Sequence, residues 1–483
     1  MRKKQETPQK ENYENSTFIR ASFGAHELFG QWVGAAFGFT VFFFYEAVIG
    51  LNTILAALAY TIWNIWNAVN DPLVGYMMEH HKFFWEKKWG YRRMPFLISC
   101  GILWLVCYLT IFLVPLNWNP VSDQWLIFAY YVTILVVYDL VNTLYDVNAV
   151  SLFPDKFTGL NERRSVTGFG TTLGIVGLVL AAIIPPMFIT TGVASTYRNS
   201  AMATLLIGLL LFGFILPGLW ETKNVREKYR LQREAAATAP PQGFLRTVKT
   251  VFENRRFVCK IILFFGYQVG TIMLETSALY VVTYLLDAPA SYVTLLYASI
   301  LLGALISTPV WMHFSKKVNN NRKLSIIAGF MMSFALIPLV FITGTIGWMI
   351  SLMAFGVSLG GQWFMDPVTM GDVLDDVAVK TGKRDPGVYY GYQALIIKLG
   401  QSTIAVTIAI VHTLTGFVAG APTLAQMLIL SPTPDLALFG IRIHSALVPA
   451  ILIFVATLLF WKFYDLTPDK VASNKAKLKE MGI

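Results

Sequence analysis

The sequence predicts an all-α polytopic membrane protein, with twelve transmembrane helices in two bundles of six. Three observations lead there. The 483-residue chain is 55% hydrophobic and only 14% charged, too little charge to keep a soluble protein of this length dispersed. Its apolar residues fall in runs of about 20, each long enough to cross roughly 30 Å of hydrocarbon as a helix. A polar, basic stretch splits those runs into two equal sets.

Taken in order, a charged and polar tail, 1–27, has no short apolar core followed by a small-residue cleavage site, so the first run, 28–50, reads as an uncleaved signal. Within it "GQWVGAAFG" spaces Gly30, Gly34 and Gly38 four apart, a smooth face for close helix contact. The second run, 52–79, is the most polar. Asn64, Asn67 and Asp71 follow an i, i+3, i+7 pattern that puts all three on one helical face. The third, 94–116, carries Cys100 and Cys107, which with Cys259 give neither a disulfide framework nor a metal-site spacing. The fourth, 124–150, repeats the polar stripe with Asp139, Asn142 or Thr143, and Asp146. Runs at 165–191 and 199–220 complete the first bundle, 28–220.

The linker 221–256 is basic and broken by Pro240-Pro241. The second bundle, 257–463, contains runs at 257–286, 290–315, 323–343, 346–372, 388–419 and 440–463, before a tail, 464–483. Gln268, Thr271 and Glu275 stripe the seventh span, Gln362 and Asp366 the tenth, and Lys398 and Ser402 the eleventh.

A net charge of +10 invites a nucleic-acid reading, but its distribution removes the need for one. Of the 38 Lys and Arg, all but Arg198, Arg442 and the intramembrane Lys398 fall at the termini, the linker, alternate loops and the adjoining span ends on one side. That asymmetry places both termini and the linker in the cytoplasm of a cell membrane. A charge at mid-bilayer costs about 2.5 to 3.5 kcal/mol on insertion scales, so the acids and the lysine inside spans carry information. Either they turn inward around a shared aqueous cavity, or they bond across helix interfaces as structural ties.

No enzyme is expected. His80 and His81 sit in a basic loop, and His26, His313, His412 and His444 are scattered, so neither a metal site nor a nucleophile and base can be argued. Asp372, Asp375 and Asp376, beside Lys380, Lys383 and Arg384, read as a charge cluster or gating salt bridge rather than a metal site. No cofactor is called for beyond a transported proton or sodium ion.

The stretch "WNAVNDPLVGYMMEHHKFFWEKKWGYRRMPF" resembles the second span and following loop of the glycoside-pentoside-hexuronide cation symporters, the melibiose permease group of the major facilitator superfamily. "LYDVNAVSLFPDKFTGLNERRSVTGF", "VFENRRF" and "GDVLDDVAVKTGKRDPGVYYGYQALIIKLGQS" resemble later family segments, in the right order. The resemblance implies two facing six-helix bundles and alternating access to a mid-membrane site. It implies cation binding by Asp71, Thr143 and Asp146 with Asn67 nearby, a functional lysine at Lys398, and a substrate-side tryptophan at Trp363.

The departures are specific. An acid of the family's second span is Asn67 here, which favours a proton over sodium, because a proton needs only one carboxylate. A first-span acid, a fourth-span aromatic and a fifth-span arginine fall at Gly30, Val150 and Thr171. Asp139, Asn142, Asp146, Glu275, Trp363, Asp366 and Lys398 remain as substrate-side candidates. The expected solute is a sugar or glycoside, with a passive facilitator, a solute sensor, or a carrier of an amphipathic, lysolipid-like solute as alternatives. Lys398 should pair with Asp71 or Asp146 when no cation is bound. Glu79, Arg92 and Arg93, with the basic loop from Lys316 to Lys323, are expected to form a cytoplasmic gate.

Overall fold

The computed structural model describes residues 14–81, 83–157, 159–227, 229, 253–382 and 386–481. Ser16 caps the first helix, α1 (Thr17–Phe43), by accepting from the Ile19 N–H, and the helix runs on into a π turn, Phe44–Val48. Asn52 caps α2 (Thr53–His80) in the same way. A short α3 (Phe84–Trp89) ends at left-handed Gly90. Then come α4 (Met94–Ile111), α5 (Gln124–Lys156), α6 (Leu160–Met187) and α7 (Ala194–Leu219).

The second half holds α8 (Arg255–Tyr280), which also ends in a π turn, Val281–Leu285, then α9 (Tyr292–Val318) and α10 (Asn321–Leu336). It continues with α11 (Thr345–Thr381), α12 (Pro386–Thr415), two short helices, α13 (Leu424–Leu430) and α14 (Pro434–Arg442), and α15 (Val448–Phe463). A polar helix, α16 (Pro468–Met481), closes the chain.

Ten of these segments are long and apolar enough to cross a membrane. The two other long helices, α2 and α11, carry the Asn-Asp and Gln-Asp stripes that lower their hydropathy. Side chains such as Leu206, Leu210, Ile306 and Val310 stand exposed, as a surface solvated by acyl chains requires.

The halves are built alike. The first helix of each ends in a π turn, and two residues later the backbone turns left-handed, at Gly50 and at Asp287. The two far-side arginines also occupy matching places. Arg198 donates to the Phe112 and Val114 carbonyls at the end of α4, and Arg442 to those of Leu339, Val340 and Ile342 at the end of α10. Each guanidinium thereby satisfies helix-end carbonyls that have no partner within their own helix.

In the first half α1 packs on α6 and α7, α4 on α5 and α7, and α2 on α5. In the second, α8 packs on α15, α9 on α11, and α10 on α11 and α15. Three seams join the halves: α2 with α12, α6 with α9, and α1 with α8.

Three expectations need correction. The first helix begins at Thr17 rather than 28, because Arg20 in its first turns is satisfied by Ser165 and Thr17 and so does not end it. Gly30 and Gly34 make no close helix contact; a Cβ at either would meet open space, and Gly38 lies against the Glu275 carboxyl. Close packing instead uses Gly24 against Phe169 and Gly170, Gly177 against the Leu28 carbonyl, and Gly303 and Gly356 between α9 and α11. The tail 464–483 is largely α16, docked on α11 through Asn474 and Asp376.

The charged loops gather at one end, here called the basic end. There Lys156 donates to the carbonyls of Pro217, Gly218 and Trp220, closing the end of α7. Glu221 accepts from the N–H groups of Arg92, Arg93 and Met94 at the start of α4, although burial pushes its carboxyl above the usual range. Arg256 and Lys470 hold Asp465 well below that range.

Candidate functional site

Asp71 sits on α2 in the middle of the α2–α12 seam. One of its oxygens accepts from the Thr143 hydroxyl of α5 at 2.9 Å, and the other pairs with Lys398 of α12. The second span, the fourth span and the eleventh therefore converge on one carboxylate, and the ion pair bridges the two halves. Both partners are partly exposed, at 28% for Lys398 and 35% for Asp71.

Behind this cluster, Asp139 is 1% exposed and accepts from Asn70. Among the described residues the buried side-chain amide oxygen of Asn67 has no hydrogen-bond partner, an unusual state for a buried polar atom. It is an acceptor available to a cation or to water.

Two cavities lie between the halves. The larger, about 710 Å3, is bounded by the basic-end parts of α1, α5 and α6 together with α8 and Trp363 of α11. A second of about 390 Å3 runs deeper, past Asn67, Asn142 and Asp146 and an aromatic wall that includes Tyr60, Trp63 and Tyr138. His26, Glu27, Gln31 and Glu275 line both, so the two form an outer vestibule and an inner chamber.

Of the expected substrate-side residues, Asn142, Asp146, Glu275 and Trp363 face these spaces, and Lys398 stands on Asp71. Asp139 and Asp366 line neither cavity. Asp366 pairs at 3.0 Å with Lys260 of α8, whose ammonium also bonds Gln393 of α12, so it ties the second half together instead of facing solute. Arg92 and Arg93 are buried near the Tyr229 ring, with Arg92 also on the Met78 carbonyl. The Glu79 side chain lies outside the described residues. Asp372 and Asp376, expected as a charge cluster or gating salt bridge, are buried; Asp376 forms ion pairs with Arg256 and Lys380, and Asp372 accepts from Asn321.

Sequence reasoning missed His26, Glu27 and Gln31, which lie on α1 but ahead of, or at the edge of, the expected span. It also missed a buried cluster at the far end, where Glu46, His412 and His444 meet. There the halves are closed: the Gly420 N–H donates to the Glu46 carbonyl at 3.0 Å, and Thr294 of α9 donates to the Ala182 carbonyl of α6 at 2.7 Å.

Comparison with known proteins agrees with this architecture. The chain is 22% identical to the mouse sodium-dependent lysophosphatidylcholine symporter 1, over 93% of this chain and 86% of that protein. It is likewise 22% identical to the isoprimeverose transporter of Lactiplantibacillus pentosus, over 90% and 86%. The fold superimposes on a crystal structure of a D-xylose-proton symporter with a TM-score of 0.65 at 15% identity, covering 94% of this chain and 98% of that one. The family model described as MFS/sugar transport protein matches residues 22–468. With twelve long helices among the described residues, in two matched halves joined by the Asp71–Lys398 ion pair, the chain belongs to that major facilitator family of transporters.

Proposed function

We propose that the protein is a cation-coupled symporter that moves a sugar or glycoside by alternating access, with the basic end in the cytoplasm. The observation that carries this reading is the Asp71–Lys398 pair, made between the halves, bonded to Thr143 and partly exposed. An empty carrier holds Asp71 neutralised by Lys398. A cation entering beside Thr143 and Asn67 displaces the ammonium, and the freed lysine and the reorganised seam become available to the solute.

A half-loaded site leaves an uncompensated charge in a closing cavity, which makes occlusion costly. Coupling follows from that penalty. A proton suits the site better than sodium, since Asn67 supplies an amide oxygen where a second carboxylate would raise the affinity for a metal cation. The cavity reaches toward the basic end while the far end is closed, so this is the cytoplasm-facing state.

The solute assignment rests on the polar and aromatic lining of the vestibule and chamber together, Glu27, Gln31, Asn142, Glu275 and Trp363, which suits hydroxyl groups and a ring face. A lysolipid-like solute is favoured by one feature, the apolar side of the vestibule at Val150, Phe153, Ile175 and Leu178. Uptake of a glycoside and lysolipid panel into proteoliposomes, with imposed proton or sodium gradients, tests both readings. Glycoside accumulation driven by a gradient supports symport. Accumulation of lysolipid alone removes the sugar assignment, and flux blind to both gradients makes the protein a facilitator.

A further inference from the structure

At the far end five side chains with no solvent exposure form one hydrogen-bonded chain across the seam between the halves. Glu46, in the π turn after α1, accepts from the Tyr280 hydroxyl through one oxygen, and its other lies 2.9 Å from His412 Nδ1 on α12. His412 Nε2 lies 3.1 Å from His444 Nε2, and His444 Nδ1 lies 2.8 Å from the Ser277 hydroxyl of α8. Phe417 stacks on the His412 ring at 3.9 Å. The three titratable groups run in line with His412 in the middle, and no group of His, Cys, Asp or Glu converges on a metal position among the described residues.

We infer that Glu46, His412 and His444 form a proton-binding latch that holds the far gate shut when it carries one proton. With both rings neutral, the chain is self-consistent: His412 Nδ1–H donates to Glu46, His444 Nε2–H donates to His412 Nε2, and Ser277 donates to His444 Nδ1. That arrangement leaves a buried carboxylate whose only hydrogen-bond donors are neutral, a costly state.

One added proton removes the cost without orphaning a ring nitrogen. His412 becomes an imidazolium against Glu46 and donates through Nε2 to His444, which shifts its own hydrogen to Nδ1 and donates to Ser277. The other titratable groups whose charge bears on Glu46 are Tyr131 on α5, Tyr280 at the end of α8 and Tyr284 in the π turn after it. Tyrosines stay neutral in the physiological range.

Glu46 belongs to the first half, and His412, His444, Ser277 and Tyr280 to the second. Opening the far end must therefore pull the carboxylate away from the imidazoles and wet both. Above about pH 6.5, where wet imidazoles are mostly neutral, the closed gate holds more protons than the open one, so rising pH opens it; in more acid solution His412 and His444 of the open gate take up the larger number, and falling pH no longer closes it. With one proton linked, the closed-to-open ratio changes by up to about tenfold per pH unit. This latch is separate from the Asp71 site and acts with no solute present.

The test places spin labels at Val121→Cys and Ile429→Cys, two highly exposed far-end positions, in full-length protein in lipid nanodiscs; the native cysteines are all buried. Label distances are read by double electron–electron resonance between about pH 5 and pH 8, where histidine titrates. From about pH 6.5 to pH 8 the short-distance population should fall as pH rises. Glu46→Gln should keep it high from about pH 6.5 to pH 8, because no buried charge then needs neutralising. His412→Asn should move the transition to more acid pH, since only the carboxyl itself can then take the proton. Distances in the unsubstituted background that ignore pH overturn the inference, as does a Glu46→Gln protein with an unchanged pH response. Should Glu46→Gln fail to fold, the unsubstituted titration and His412→Asn still decide.

Discussion

Asp71 has one oxygen on a hydroxyl and the other on an ammonium, and the two contacts do different work. In the proposed cycle Lys398 is the partner that an arriving cation replaces, whereas Thr143 fixes the carboxylate's direction and offers its own oxygen to that cation. Thr143→Val should raise the cation concentration for half-maximal uptake by about 10- to 100-fold, the equivalent of a hydrogen bond to a charged group worth about 1.5–3 kcal/mol. Thr143→Ser should restore it. These residues were legible in the sequence because charge inside an apolar run is expensive and therefore informative. Glu27 was not, because an apolar run locates a span but not a helix start, and α1 extends well beyond the lipid-crossing stretch. Glu46, His412 and His444 were illegible for another reason: hundreds of residues separate the acid from the imidazoles, and only the packing of α1 against the second half joins them. Asp366 misled because its partner, Lys260, lies near the end of a run where a lysine reads as interfacial.

At the scale of elements, glycine spacing identified α1 as a close-packing helix but selected the wrong face. The i, i+4 rule is blind to which side of a helix meets protein and which meets a cavity. Gly30 and Gly34 look into open space, while Gly177 accepts the Leu28 carbonyl where a Cβ would stand. Gly177→Ala should therefore push α6 off α1 and destabilise the protein by about 1–3 kcal/mol, the usual cost of overpacking. Gly34→Ala should leave the thermal midpoint in detergent unchanged. The reverse ranking would mean that α1 packs on its other face. Span positions along the chain were legible almost throughout, and even the two polar spans, α2 and α11, were found from length and stripe pattern together.

At the scale of the whole molecule, the division into two sets of six was visible as a polar interruption between apolar runs. The pairing of the halves through α2 with α12, α6 with α9, and α1 with α8 was not, since no local pattern encodes which helices face each other across a pseudo-symmetric seam. That pairing turns three scattered polar residues into a device, by placing an ion pair where two rigid bundles must part and meet again. Rigid halves with satisfied backbones can exchange one closed end for the other without exposing peptide groups to lipid. In the proposed cycle the energy that ties this exchange to a gradient is the cost of an unpaired Asp71. The most direct measurement is uphill uptake by Asp71→Asn in proteoliposomes under an imposed proton or sodium gradient, with insertion and thermal stability matched to the unsubstituted protein. Accumulation should vanish while solute exchange down its own gradient persists, and undiminished uphill uptake would contradict a coupling role for Asp71.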